Sequence, residues 1–382
     1  MPQNTFTLPF AVPTASGFSR PNWAEIDLDA LRHNARVLWE FAAPAGLVAV
    51  AKAGAYGHGA AEIARALQGE PGVALFGVAC VEEGVALREA GVEMPILLLS
   101  AILPDEAPAV VEANLVPTVW SQELASALDS AAAAQGTVLE AHFKVDTGMG
   151  RLGVGHCEAA QRYRDLRAYE NLRFTGMYTH LACADEQEDR LSGLQLERFE
   201  AVLGQLSLPP EVLRHAANSA ATLRYPEAHY DLVRPGLALY GTNPCPGLSA
   251  DLPLRPVMTW KARITNLKTV AAGETVSYGG TWRAMAETKI AIIPCGYADG
   301  YFRALSNRGE VLVNGERCKV VGRVTMDQIL VDVTGLKQPA RLGDGVTLFG
   351  VGLPVEEVAA SAGTIPWELL CAVSQRVARV YV

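Results

Sequence analysis

Eight short apolar runs recur between residues 20 and 241, each separated from the next by a helical pattern. They fall at 48–52, 75–79, 95–100, 115–119, 141–145, 174–179, 213–216 and 232–234. Runs this short, rich in Val, Leu and Ala, predict strands buried on both faces, and such strands belong to parallel sheets. The stretches between them predict helices. Ala60–Leu67 stops just before Gly69 and 82–90 stops at Gly91, as helices closed by glycine do. Leu28, Leu31, Ala35 and Leu38 share one face of a helix begun at Asp27 or Asp29. Eight such repeats give the count of an α/β fold of (β/α)8 TIM-type barrel architecture, while a doubly wound open sheet has the same periodicity and stays open as an alternative.

After Gly241 the pattern changes. Residues 242–256 are rich in Pro and Gly, and beyond them 257–270, 289–294, 310–313, 318–324, 329–333 and 346–349 are short runs of Val and Ile. Asn314-Gly315 predicts a tight hairpin turn, because both residues tolerate positive φ. The expected organisation is a barrel over 15–245 followed by a mostly-β domain over 246–382 that includes the N-terminal segment 1–14.

Composition narrows the function classes. The chain has 382 residues, half of them apolar and 19% charged, with a net charge of −9 and no long charge block. Without a basic stripe, no nucleic-acid partner is expected. The seven cysteines are scattered and never form a Cys-x-x-Cys pair, so no metal site is expected and a reducing compartment fits. The N-terminus lacks the basic and apolar regions of a secretory signal, and no stretch is apolar enough to span a bilayer, so no membrane association and a cytoplasmic location are expected.

Lys52 closes the first apolar run and a Gly/Ala-rich loop comes after it. A cation at the mouth of a buried strand is poorly solvated, which lowers an amine's pKa toward the nucleophilic form used by imine-forming lysines. A lysine reaching plain solvent is the competing reading of this residue alone. In a barrel, polar residues after each strand converge on one face. That gathers Lys52 and Tyr56, then Lys144 to Arg151, His180, Asn218 with Ser219, and Arg234 to Leu237. Ser219 and the Gly236 and Leu237 N–H groups lie in the loops after the seventh and eighth strands, where barrels often hold phosphate. An amine together with a phosphate cradle implies pyridoxal 5′-phosphate.

The segment VAKAGAYGHG at 50–59 resembles the VKANAYGHG segment of alanine racemases, in which the lysine carries the cofactor. Further similar segments are AEIDLDALRHN (24–34), KVDTGMGRLG (144–153), GMYTHLACADE (176–186), HAANSAATLRYP (215–226), RPGLALYG (234–241), VSYGGTW (276–282), GYADGY (296–301) and VGRVTMDQ (321–328). The resemblance implies interconversion of L- and D-alanine by a homodimer with shared active sites, supplying D-alanine for peptidoglycan. It implies Lys52 as cofactor lysine and base on one face of the substrate, and Tyr278 from the partner as base on the other. A tyrosine acting near neutrality needs its pKa of about 10 lowered, and His180 with Arg234 is the expected network for that. Arg234 is implied to face the pyridine nitrogen, Tyr56 to hold the phosphate and Arg151 the substrate carboxylate. Lys144 matches a lysine that is often carbamylated, and Met326 and Tyr297 match substrate-contacting or entrance positions.

Three positions depart from the family pattern. Gly54 replaces a usual Asn, Thr325 precedes Met326 where Cys is frequent, and Gln375 stands where some members place a phosphate-binding tyrosine. The competing functions are a broad-specificity amino-acid racemase, a non-catalytic pyridoxal-phosphate-binding protein, a barrel decarboxylase and a cofactor-free lysine aldolase.

Overall fold

The computed structural model describes residues 20–382. The expected N-terminal segment 1–14 lies outside the described residues. Two compact units divide the chain, one of Asp29–Arg255 and one that joins residues 20–28 to Pro256–Val382.

The first unit is the barrel. Parallel strands Gly46–Val50, Val73–Val78, Ile96–Leu98, Thr118–Val119, Leu139–Asp146, Leu172–Tyr178, Leu213–His215 and Leu232–Val233 pair in sequence, and Leu232–Val233 returns to pair with Gly46–Leu47. The remaining gap is bridged at Leu97 and Val116, where Leu98 N–H donates to Val116 C=O at 2.9 Å. The open sheet is thereby excluded. Val48, Leu75, Leu97, Val116 and Leu232 pack together as one core cluster. Burying such side chains stabilises by roughly 1.5–3 kcal/mol each, which is why short Val/Leu runs suffice as strands. The helices between them obey their caps: Ser121 Oγ accepts Leu124 N–H at 3.2 Å, and Gly69 and Gly91 take positive φ after Ala60–Leu67 and Val81–Glu89.

The second unit is mostly β. A six-stranded sheet runs in the order Glu316–Lys319, Glu310–Val313, Gly345–Phe349, Met258–Arg263, Asn22–Ile26 and Ala378–Tyr381. A three-stranded sheet of Asn266–Val270, Thr288–Ile293 and Ile329–Asp332 accompanies it. Asn314 and Gly315 both adopt positive φ at the expected hairpin. Two short helices, Val355–Ala362 and Pro366–Ala372, follow the last of the expected strand runs.

The boundaries differ from those expected. Asn22–Ile26, which falls within the expected barrel segment, is a strand of the β unit, antiparallel to Met258–Arg263 and parallel to Ala378–Tyr381. Its buried Asn22 accepts the Trp260 indole N–H at 2.6 Å. The connector instead closes onto the barrel, where Asn34 exchanges hydrogen bonds with the Arg255 backbone, each 2.8 Å long. No helix among the described residues is long and apolar enough to cross a membrane.

Candidate active site

Lys52 does not end its strand. It opens a tight turn in which Ala53, Gly54, Ala55 and Tyr56 all have φ between 53° and 61°. Left-handed backbone costs about 1–2 kcal/mol for each non-glycine residue, so this turn persists only because neighbours over-determine it. Ala55 N–H reaches Ala51 C=O at 2.8 Å and Gly57 N–H reaches Ala53 C=O at 3.0 Å. His58 Nδ1 lies 2.9 Å from the carbonyls of both Ala55 and Tyr56, which makes Nδ1 the protonated nitrogen. The His58 ring stacks on Tyr240, whose hydroxyl donates to Val50 C=O at 2.9 Å. From the next strand–helix junction Glu83 accepts Ala53 N–H at 2.6 Å with one oxygen and Ala79 N–H at 2.7 Å with the other. Gly54, at φ 61°, takes a left-handed conformation that glycine adopts freely, with open space where a Cβ would go.

Tyr56 is aimed at the loop after the last strand. A Cβ on Gly236 would stand only 2.3 Å from the Tyr56 hydroxyl, so glycine is required for this approach. Ser219 Oγ accepts Gly236 N–H at 2.8 Å and Ala238 N–H at 3.3 Å. Leu237 opens the 3-10 turn Leu237–Tyr240 beside them. Asn218 caps Ser219–Arg224, with Oδ1 accepting Ala221 N–H at 3.0 Å and Nδ2 donating to Leu181 C=O at 3.2 Å. Its amide is thus committed to holding Ser219 in place.

Arg234 is buried and donates to Thr179 C=O and Ala216 C=O, both at 2.9 Å, to His215 Nδ1 at 2.9 Å and to His180 Nδ1 at 3.1 Å. Guanidinium cannot accept, so both imidazoles must be neutral with the proton on Nε2. His215 Nε2–H then donates to His142 Nδ1 at 3.0 Å. The chain of bonds has one direction. Electrostatics agree: burial first, then the Arg234 charge, hold His142 down at about 3 and push His180 and His215 well below the ordinary histidine value. Burial lowers Arg234 itself only to about 10, so it keeps its charge at neutral pH.

Lys144 is buried, its Nζ 4.4 Å from the centre of the Tyr178 ring. Burial, then Arg234, Arg151 and Lys52, lower its amine to about 7, with Asp146 pulling the other way. Asp146 also folds the loop after it, accepting Gly148 N–H at 2.9 Å and Gly150 N–H at 3.1 Å before Arg151. Tyr178 stacks flat on His215 at 4.5 Å and bonds Thr118 Oγ1 at 2.7 Å. The barrel therefore gathers Lys52, Tyr56, Lys144, Arg151, His180, Ser219, Arg234 and Gly236 at one end. It adds His142, Tyr178, His215 and Glu83, to which sequence alone gives no role. The available signal for His142 is period two: it lies two residues before Lys144 on the strand Leu139–Asp146, hence on the same face.

The other candidates lie on the β unit. Tyr278, Tyr297 and Met326 are exposed to 72%, 44% and 52%. One segment ties them together: Ser277 Oγ donates to Arg323 C=O at 2.7 Å, Tyr297 N–H to Thr325 C=O at 2.9 Å, and Ala298 N–H to Met326 C=O at 3.0 Å. Ser277 sits at φ 62°, ψ −179°, a conformation that is essentially glycine's alone. Gln375 is exposed on the same unit.

The family model described as alanine racemase, N-terminal domain, matches residues 26–244, and that described as alanine racemase, C-terminal domain, matches 257–381. An alanine racemase of Symbiobacterium thermophilum is 44% identical over 95% of this chain and 97% of its own length. The alanine racemase structure from Clostridium difficile 630 superposes with a TM-score of 0.90 at 36% identity, covering 96% of both chains. The structure of alanine racemase from Bartonella henselae with covalently bound pyridoxal phosphate superposes at 0.87 and 32%, over 95% of this chain and all of that one. With both units matched along nearly their whole length, and with the motifs of the barrel mouth in one place, the chain belongs to the alanine racemase family of pyridoxal-phosphate-dependent isomerases.

Proposed function

We propose that this chain interconverts L- and D-alanine with pyridoxal 5′-phosphate held at the barrel mouth by Lys52. The observation that carries the reading is the charge balance there. Lys52, Lys144, Arg151 and Arg234 all bear on His180, and the hydroxyl and amide donors of Tyr56, Ser219 and Gly236 adjoin one another. This donor set fits a ligand carrying a phosphate, a phenolic oxygen and an aldehyde. Lys52 would hold the aldehyde carbon covalently, and Tyr56, Ser219 and the N–H groups of Gly236 and Leu237 would hold the phosphate. Asn218 and His180 serve by fixing Ser219 and Arg234. When bound, the cofactor supplies an electron sink that makes the substrate's Cα proton removable.

The chain's own residues direct the proton. Arg234 can only donate, so a ring nitrogen facing it must accept and stay unprotonated. That weakens the sink and favours return of the proton to Cα. Arg151 would bind the substrate carboxylate. Lys52 moves the proton on one face, and Tyr278 moves it on the other, because a single base would return it to the side it came from. We assign Tyr278, Tyr297 and Met326 to the neighbouring site of a homodimer; their exposure on one patch of the β unit supports this, since such side chains are usually covered. The lowered amine of Lys144 supports carbamylation, which needs a neutral lysine and yields an anion to orient Arg151. D-alanine so made would serve peptidoglycan synthesis in the cytoplasm.

The test is polarimetry on purified protein offered a panel of L-amino acids with and without added cofactor. L-alanine should lose its rotation fastest. Equal rates on larger side chains would replace the reading with a broad-specificity racemase, and no change on any would end it.

A further inference from the structure

We propose that Glu83 is a positioning residue for the Lys52 amine, an inference that rests on Lys52 being the cofactor lysine. The turn after Lys52 is left-handed over four residues, of which only Gly54 adopts that conformation freely. Within the turn, the N–H groups of Ala55 and Gly57 use the carbonyls of Ala51 and Ala53. The peptide N–H that joins Lys52 to Ala53 goes instead to Glu83, at 2.6 Å. The second oxygen of Glu83 accepts Ala79 N–H at 2.7 Å, at the end of the neighbouring strand Val73–Val78. Gly46–Val50 and Val73–Val78 are paired, so one carboxylate ties together the mouths of two adjacent barrel strands. Both bonds are short and charge-assisted, the stronger class. Without Glu83, the Lys52–Ala53 peptide plane can turn, changing the ψ of Lys52 and with it the set of rotamers open to its side chain.

The ordinary explanation of a glutamate at this position is stabilisation of its own helix. Glu83 lies in the first turn of Val81–Glu89, where a negative charge favours the helix. Glu82 shares that turn, yet its carboxylate lies beside Cys80. The two residues separate helix support from positioning. Glutamine at 83 offers one acceptor oxygen and turns an NH2 toward the other N–H. Aspartate keeps the charge but is one methylene too short to span both.

The experiment compares wild-type, Glu83→Gln, Glu83→Asp and Glu82→Gln holoenzymes by kcat and KM on L-alanine, by circular dichroism of the bound cofactor in the visible, and by thermal midpoint. Both Glu83 variants should lower kcat about tenfold, the worth of one charge-assisted bond, with a smaller change in KM. They should also alter the visible dichroism while borohydride still fixes the cofactor to Lys52. Glu82→Gln should lower the midpoint alone. The proposal is overturned if Glu83→Asp matches wild type in kcat and dichroism, or if Glu82→Gln reproduces the Glu83→Gln profile. Wild-type protein with no borohydride-fixed group at Lys52 would instead defeat the reading of Lys52 itself, a result distinct from labelled wild type with unaltered Glu83 variants.

Discussion

Two turns carry the reactive candidates, and both run through left-handed backbone, but they are built differently. The one after Lys52 spreads positive φ over four residues and is braced by Glu83, by the His58 side chain and by Tyr240. The one around Tyr278 takes positive φ at Ser277, Gly279 and Gly280, two of them glycines that adopt it freely, and is held by the Ser277 hydroxyl bond to Arg323 and by Gly280 N–H donating to Ser277 C=O, leaving Tyr278 largely in solvent. Distributed bracing fixes the backbone that carries Lys52 through the fold of one unit. Local pinning leaves the phenol's position to a short turn of its own neighbours, with Tyr278 itself exposed.

That contrast breaks or sharpens under mutation, with the largest effect at Lys52. Lys52→Ala should abolish both the visible absorbance and racemisation, a loss of at least about a thousandfold for a covalent, proton-moving residue. Tyr278→Phe should keep the visible band and the thermal midpoint while racemisation falls by about 10²–10⁴-fold. Loss of the band in that variant would show the two turns to be coupled.

Ser277→Gly tests local pinning. It removes backbone strain of about 1–3 kcal/mol and a hydrogen bond of about 1 kcal/mol, so thermal stability should change little or rise. The rate should fall a few fold as Tyr278 loosens. An unchanged rate with lower stability would mean that the hydroxyl bond serves the fold and leaves Tyr278 alone.

The smallest effects are in pH. His142, His180 and His215 are neutral when folded, and their pKa values are depressed. Their contribution is intact above the unfolded value of about 6.5 and is lost as pH falls from there toward the folded values. The barrel's thermal midpoint should therefore drop between pH 7 and 5. For Lys144, lowered to about 7, the window lies higher. Measured in buffer free of carbon dioxide, wild type should gain stability over Lys144→Met as pH rises from about 7 toward its unfolded value of about 10.4. A difference that stays flat would place Lys144 in a wetter site.

Much of the fold and site is legible in the sequence, for physical reasons. All eight barrel strands are readable because a strand buried on both faces must be a short, uninterrupted apolar run. The phosphate-type loops are readable because strand ends converge in a barrel. The turn after Lys52 is not, since Ala-Gly-Ala-Tyr has no left-handed preference beyond Gly54, and its braces come from distant positions. Glu83 reads as a helix-start residue. Asn22–Ile26 reads as part of the nearer domain because its partners, Met258–Arg263 and Ala378–Tyr381, lie at the far end of the chain. The helices Val355–Ala362 and Pro366–Ala372 are too short and apolar to stand out from strands by period.

The most direct test is reduction of the cofactor-loaded protein with borohydride, with peptide mapping by mass spectrometry. If Lys52 is the cofactor lysine, a single pyridoxyl group will be found on the peptide containing it, and none on Lys144. Label on Lys144 or on a surface lysine, with Lys52 unmodified, would contradict that assignment.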